Sequence, residues 1–139
     1  MTEPFLAPGR GEVESLRELA AAEPPFGLYV VEVDGKRSGG LALAPASRTS
    51  AICEISRVMV APGVRGAGVA TESVRAACRL TLIGHRLHRI ETQVYEDNIA
   101  GQRLFERAGF TREGARRRAY WRRERWLGGI YYGLLADEL

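Results

Sequence analysis

The stretch VMVAPGVRGAGVATESVRAAC, residues 58–78, passes from an apolar segment through a turn built of Pro62, Gly63, Gly66, Ala67 and Gly68 into a segment with helical spacing. Ala70, Val74, Ala77 and Cys78 recur at steps of three and four, marking one face of a helix that stops near Gly84. A strand that enters a helix through so bare a turn leaves the helix's first N–H groups unpaired and pointing one way, at the positive end of the helix dipole. Such a corner suits an anion. Glycines let a diphosphate approach the backbone closely, and Arg65 adds charge. No Gly-Lys-Ser/Thr follows, and the spacing is not Gly-x-Gly-x-x-Gly, so neither nucleotide-binding loop is present. On glycine content alone, a phosphate cradle and a tight turn with no ligand are equally open.

Upstream, LYVVEV and SGGLALA flank DGKR and read as two strands joined at Asp34-Gly35. AICEISRVMVAP is a third strand, whose alternation sets Glu54, Ser56, Val58 and Val60 on one face and Cys53, Ile55, Arg57 and Met59 on the other. Val13, Leu16, Leu19 and Ala20 predict a helix over residues 12–22. Downstream, HRIETQVYE alternates Ile90, Thr92 and Val94 with Glu91, Gln93 and Tyr95, as a strand does. DNIAGQRLFERAGF predicts a short helix, capped by Asp97 or Asn98 and closed at Gly109. Two last strands, around FTREG and WLGGIYYGLL, flank an arginine-rich loop. Strands before and between helices indicate a mixed α/β sheet.

The chain's 139 residues match one domain able to bury a core without metal or disulfide staples. Hydrophobic residues at 45% and charged residues at 27% describe an ordinary globular protein and exclude disorder. No apolar run reaches the roughly 20 residues of a membrane span, and the start lacks the basic and apolar regions of a signal peptide, so a cytoplasmic protein is expected. Cys53 and Cys78 read as two small core thiols, with no metal-ligand spacing around them. The net charge of +3 is uneven: residues 112–125 hold seven arginines against two glutamates, leaving the rest slightly acidic. That patch needs its own explanation.

The spacing inside the turn narrows the choice. RGAGVA fits Arg/Gln-x-x-Gly-x-Gly/Ala, and EISRVMVAPGVRGAGVATE resembles the acetyl-CoA-binding motif of the GNAT superfamily of N-acetyltransferases. DNIAGQRLFERAGF resembles the Asn-x-x-Ala…Leu-Tyr…Gly-Phe block that follows in the same superfamily. The tail REGARRRAYWRRERWLGGIYYGLL resembles the branch with ribosomal-protein alanine N-acetyltransferases and several small-amine acetyltransferases. The resemblance implies the GNAT fold: a mixed, mostly antiparallel sheet, splayed at the cofactor site and flanked by helices. It implies acetyl-CoA as cosubstrate, no metal, and transfer to a primary amine of a small molecule or protein N-terminus.

Laid on residues, the resemblance implies that the pantetheine arm lies between the strand ending at Val60 and the strand Ile90 to Tyr95, pairing with backbone at Val58, Met59 and Val60. The diphosphate is expected on the amides of Gly66, Ala67, Gly68, Val69 and Ala70 beside Arg65, with Asn98 touching the arm. Val58 and Val60 as plain core, and Asn98 as only a helix cap, are the competing readings. An ammonium must lose its proton before attack, and Glu54 aligns with a strand glutamate that is the base in some members. A glutamate merely paired with Arg57 or Arg89 is the alternative, and His85 and His88 read as surface residues. The chain also departs from the pattern. Phe105 stands where a tyrosine often protonates the thiolate, Gly101 where the ribosomal branch can have serine, and Gly128 where it usually has aspartate. No acid is therefore assigned, which keeps an acyl-CoA-binding module with little turnover as the second class of function. The arginines border the expected acceptor pocket and favour an anionic amine over a polycation, with solubility or a homodimer contact as the alternative. Nucleic-acid binding through ARRRAYWRRER ranks last, since no nucleic-acid module surrounds it.

Overall fold

A computed structural model describes residues 22–66 and 68–139. The helix expected over residues 12–22 and the turn residue Ala67 fall on positions outside those described, apart from Ala22. Six strands, β1 (Gly27–Val33), β2 (Lys36–Ser47), β3 (Ile52–Val60), β4 (Arg89–Tyr95), β5 (Thr111–Arg122) and β6 (Arg125–Leu135), form one sheet in the order β1-β2-β3-β4-β6-β5. Every neighbouring pair is antiparallel except β3 and β4. A parallel pair requires a crossover, and here helix α1 (Val69–Cys78), extended by a wider turn over Arg79–Gly84, makes it. Helix α2 (Ile99–Arg107) follows β4.

The first hairpin turns where the sequence places it. Asp34 and Gly35 have φ of 51° and 78°, the left-handed pair that a two-residue turn between twisted strands requires. The last hairpin uses the same geometry without the sequence cue: Arg123 and Glu124 sit at φ 51° and 61°. For this reason the arginine-rich loop expected between the last strands is not a loop. Most of its residues lie in β5, paired with β6 except where the register slips between Arg116 and Tyr120.

One sheet face carries the core, where Ile55, Ile90, Val94 and Tyr132 pack against Val74 and Cys78 of α1 and Leu104 and Phe105 of α2. Each fully buried aliphatic side chain contributes about 1.5–3 kcal/mol. The faces of β3 differ from simple alternation. Gly40 pairs with Met59 but Ala42 with Ser56, so β3 carries one extra residue there, and Arg57 at φ 52° marks the bulge. The extra residue flips the alternation. Cys53, Ile55, Val58 and Val60 all face the core, and Glu54 does not share a face with Val58 and Val60, contrary to the two-residue period.

Candidate active site

The parallel ladder between β3 and β4 is short: Ile52 pairs with Arg89, Cys53 with Ile90 and Glu54 with Glu91, and there it ends. Beyond that rung the strands diverge, held at the fork by Thr92, whose Oγ1 donates to the Ile55 carbonyl at 2.8 Å. At the far end of the fork a cleft of about 260 Å³ lies between the end of β3, the start of α1 and one face of α2. Val60, Arg65, Gly66, Gly68, Val69 and Ala70 line it, six of the ten cofactor positions expected from the sequence.

The turn is built for open backbone. Gly66 and Gly68 take φ of 83° and 75°, and a Cβ added at either would meet nothing within 4 Å. Left-handed backbone, not crowding, therefore selects glycine at both positions. Gly68 caps α1 with no side-chain hydrogen bond, so the first amides of the helix are left to water or a ligand. Arg65 Nε donates to the Val60 carbonyl at 3.2 Å, which holds the arginine over the mouth of the cleft.

Other expected residues lie elsewhere. Val58 is 4% exposed and belongs to the core, and Met59 points to the opposite sheet face and is half-buried. Asn98 caps α2, its Oδ1 accepting from the Gly101 amide at 2.9 Å, and so positions the helix whose Ala100 lines the cleft. Arg103 and Arg107 also line the cleft. Their spacing from Ala100 and Leu104 places all four on one helix face, and that periodicity could have revealed the two arginines.

The departures from the family pattern have steric causes. A Cβ on Gly101 would lie 2.7 Å from Asn98 Nδ2 and 3.0 Å from Val94 Cγ1. One on Gly128 would lie 2.9 Å from the Arg116 carbonyl and 3.1 Å from the Glu96 carboxylate. Phe105 is 4% exposed, edge-on to Phe110 at 5.1 Å and stacked on Tyr132 at 6.4 Å.

On the face opposite the core, Glu54 and Glu91 stand side by side on the last rung before the fork. Partial loss of hydration pushes the Glu54 carboxyl up, Glu91 beside it pushes the same way, and Arg57 opposes both. The Glu54 residue as a whole is exposed, so its carboxyl meets solvent on one side. Arg89 is already engaged: it lies 3.4 Å from Glu91 and holds Glu113 in a bidentate pair, with Nη1 to Oε2 at 2.7 Å. That pair holds Glu113 below the usual carboxylate range. His85 and His88 are exposed in the turn that leads into Arg89. Burial drives the Cys53 and Cys78 thiols up to about 12, which leaves them protonated and inert in the core. Among the described residues no group of side chains could hold a metal ion, and no helix is long and apolar enough to cross a membrane. A separate hollow of about 430 Å³ between β1, β2 and α1 is mostly apolar, with Glu32 and Glu72 the only carboxylates among the described residues that line it, and it lies away from the Glu54–Glu91 rung.

The sheet is thus mixed and forked between its two parallel strands, with a glycine turn and a helix start at the open end. The profile of the Acetyltransferase (GNAT) family matches residues 2–110, and the chain belongs to that family. Among solved structures, a spermidine N-acetyltransferase SpeG chimera from Vibrio cholerae and hSSAT is 22% identical with a TM-score of 0.78, covering 91% of this chain and 76% of that one. A GNAT-family acetyltransferase from Bacillus anthracis is 23% identical with a TM-score of 0.69, over 76% of this chain and 62% of that one. The ribosomal-protein-alanine N-acetyltransferase of Brucella melitensis is 21% identical with a TM-score of 0.70, over 79% and 68%. At these identities the neighbours establish the fold.

Proposed function

We propose that the chain is a single acetyl-CoA-binding domain that transfers the acetyl group to a primary amine. The observation that carries this reading is the fork itself: backbone of β3 freed from β4, opening onto the glycine turn, with Glu54 at its root. The residues present fit the group. The unpaired amides at the start of α1, with Arg65, Arg103 and Arg107 around the cleft, suit a diphosphate, and the freed edge of β3 suits an amide-bearing arm. Bound there, acetyl-CoA would supply an acyl carbon open to attack by a neutral amine.

Glu54 takes the proton from the ammonium, directly or through one water, and so generates the nucleophile. Glu91 beside it strengthens the base by disfavouring a second negative charge, which keeps the Glu54 pKa raised toward the working pH. The acceptor fits better as an anionic amine than as a polycation, because Arg116, Arg117, Arg118, Arg122, Arg123 and Arg125 lie along the β5–β6 hairpin.

A panel of amines with acetyl-CoA, followed by release of free thiol, tests the reaction. Glu54→Gln should lower turnover on the order of 10²-fold while acetyl-CoA still raises the melting temperature. Turnover unchanged by that substitution would move the base elsewhere. A second reading, an acyl-CoA-binding module with little turnover, is favoured by Phe105, which puts a buried ring where a proton donor is common. A melting shift with no thiol release from any amine would establish it.

A further inference from the structure

On the sheet face that carries Glu54 and Glu91, the next outward residue of β4 is Gln93, two positions along the strand. Its register partner on β6 is Tyr131. Above this rung lies Tyr120 of β5, whose hydroxyl accepts from Arg116 Nη1 at 3.4 Å and whose ring edge closes over Gly129 beside Gln93 Nε2. The Arg116 guanidinium lies 5.8 Å above the Tyr120 ring. Four polar side chains from three strands thus gather on one face, and among the described residues no carboxylate pairs with the Arg116 guanidinium. The stabilisation of negative charge is visible in Tyr120 itself. Gln93 first, then Arg116 and Tyr131, hold its hydroxyl below the usual phenol range.

The chain departs from regular pairing to make this arrangement. Between Arg116 and Tyr120 the β5 register slips, Arg118 takes φ 45°, and a hollow of about 690 Å³ opens against Ala115, Arg116, Arg117 and Arg118. Among the described residues neither Arg117 nor Arg118 has a carboxylate partner. The sheet face therefore has two poles. One is the carboxylate rung Glu54–Glu91, and the other is the Gln93–Tyr131 rung roofed by Tyr120 and Arg116. The two rungs lie about 7 Å apart along β4, and because Glu54 stands on β3, one strand spacing from Gln93 and two from Tyr131, the base and the second pole are about 8–12 Å apart.

We infer that Arg116, Tyr120, Tyr131 and Gln93 form a subsite for an anionic group of the acceptor, one strand repeat along the sheet and one or more strands across it from the base, so that the enzyme selects amines by the distance between nitrogen and negative charge. The inference rests on the acetyltransferase reading above and adds the shape of the substrate. A polyamine presents a cation where the guanidinium stands. An α-amino acid holds its carboxylate too close to its nitrogen to reach both poles. An amine whose carboxylate or phosphate lies several bonds away spans them, as does a peptide N-terminus followed closely by an acidic side chain.

A homologous series of ω-amino acids from glycine to aminooctanoate, assayed by thiol release against alkylamines of equal length, measures the spacing. A matched series of ω-aminoalkyl phosphates distinguishes carboxylate from phosphate. The expected result is a maximum of kcat/KM at intermediate length in at least one series, about ten-fold or more above the alkylamine of that length, as befits a hydrogen bond to a charged group. Arg116→Gln should cut that preference about ten-fold, chiefly through KM. Tyr120→Phe, which keeps the ring over Gly129, should cut it in the same direction. A flat dependence on length, equal rates for the matched alkylamines, or spermidine outpacing every anionic amine overturns the inference while leaving the transfer reaction in place. Acetyl-CoA binding with no amine acetylated overturns both.

Discussion

Gly68→Asp is the sharpest probe of the anion site, because the structure separates its effect on folding from its effect on binding. The residue sits at φ 75°, ψ 8° at the start of α1, and a Cβ there meets no atom within 4 Å. Aspartate is among the few residues that tolerate left-handed backbone, so the folding cost is about 1 kcal/mol. The new carboxylate instead faces whatever the helix amides hold. A unit charge roughly 4–6 Å from a diphosphate at an effective dielectric near 20 costs about 3–4 kcal/mol, a loss of affinity of two to three orders of magnitude. Acetyl-CoA at ~100 times its dissociation constant stabilises the native fold by roughly 2.7 kcal/mol, or about 8 °C of melting temperature for a chain this size. Thermal melts of wild type, Gly68→Asp and Gly68→Asn, with and without acetyl-CoA, give the answer directly. The asparagine variant has nearly the same shape and backbone cost without the charge. We expect wild type and Gly68→Asn to keep most of the shift and Gly68→Asp to lose it. If Gly68→Asp keeps its shift, or Gly68→Asn loses as much, the electrostatic account of the turn is wrong.

Two further outcomes follow from individual contacts. Glu91 is the second-largest cause raising the Glu54 carboxyl, so Glu91→Gln lowers that pKa, and the acid limb of kcat/KM should move to lower pH; a limb that stays in place or moves up separates Glu91 from the base. Glu124 occupies left-handed backbone at φ 61° in the β5–β6 turn, so Glu124→Gly should stabilise the fold by up to about 1 kcal/mol, read as a higher denaturation midpoint with unchanged slope.

Local chemistry carried much of this protein in readable form. Asp34-Gly35 marks a hairpin because few other pairs take two successive left-handed conformations cheaply. The apolar spacing of α1, the Asn98 cap of α2 and the glycines before α1 act within a few residues of themselves, so they are legible in order along the chain. Most of the cleft's first wall was legible for the same reason. What depends on pairing between distant segments was not. One inserted residue at Arg57 turns Val58 and Val60 into core and separates them from Glu54, and nothing in the alternation of β3 announces it, because a bulge is defined against the partner strand. The arginine-rich segment is a strand only because β6 pairs with it across a turn of Arg123 and Glu124, residues with no turn preference of their own. Glu91 meets Glu54, and Gln93 meets Tyr120 and Arg116, through register across the sheet, over separations of tens of residues. The sequence by itself marked most of the elements and the glycine-rich corner that opens α1. The tertiary structure alone decided which face each strand residue takes, which carboxylate stands beside Glu54, and where Arg116 meets Tyr120, since those follow from strand register and not from any property local to the chain.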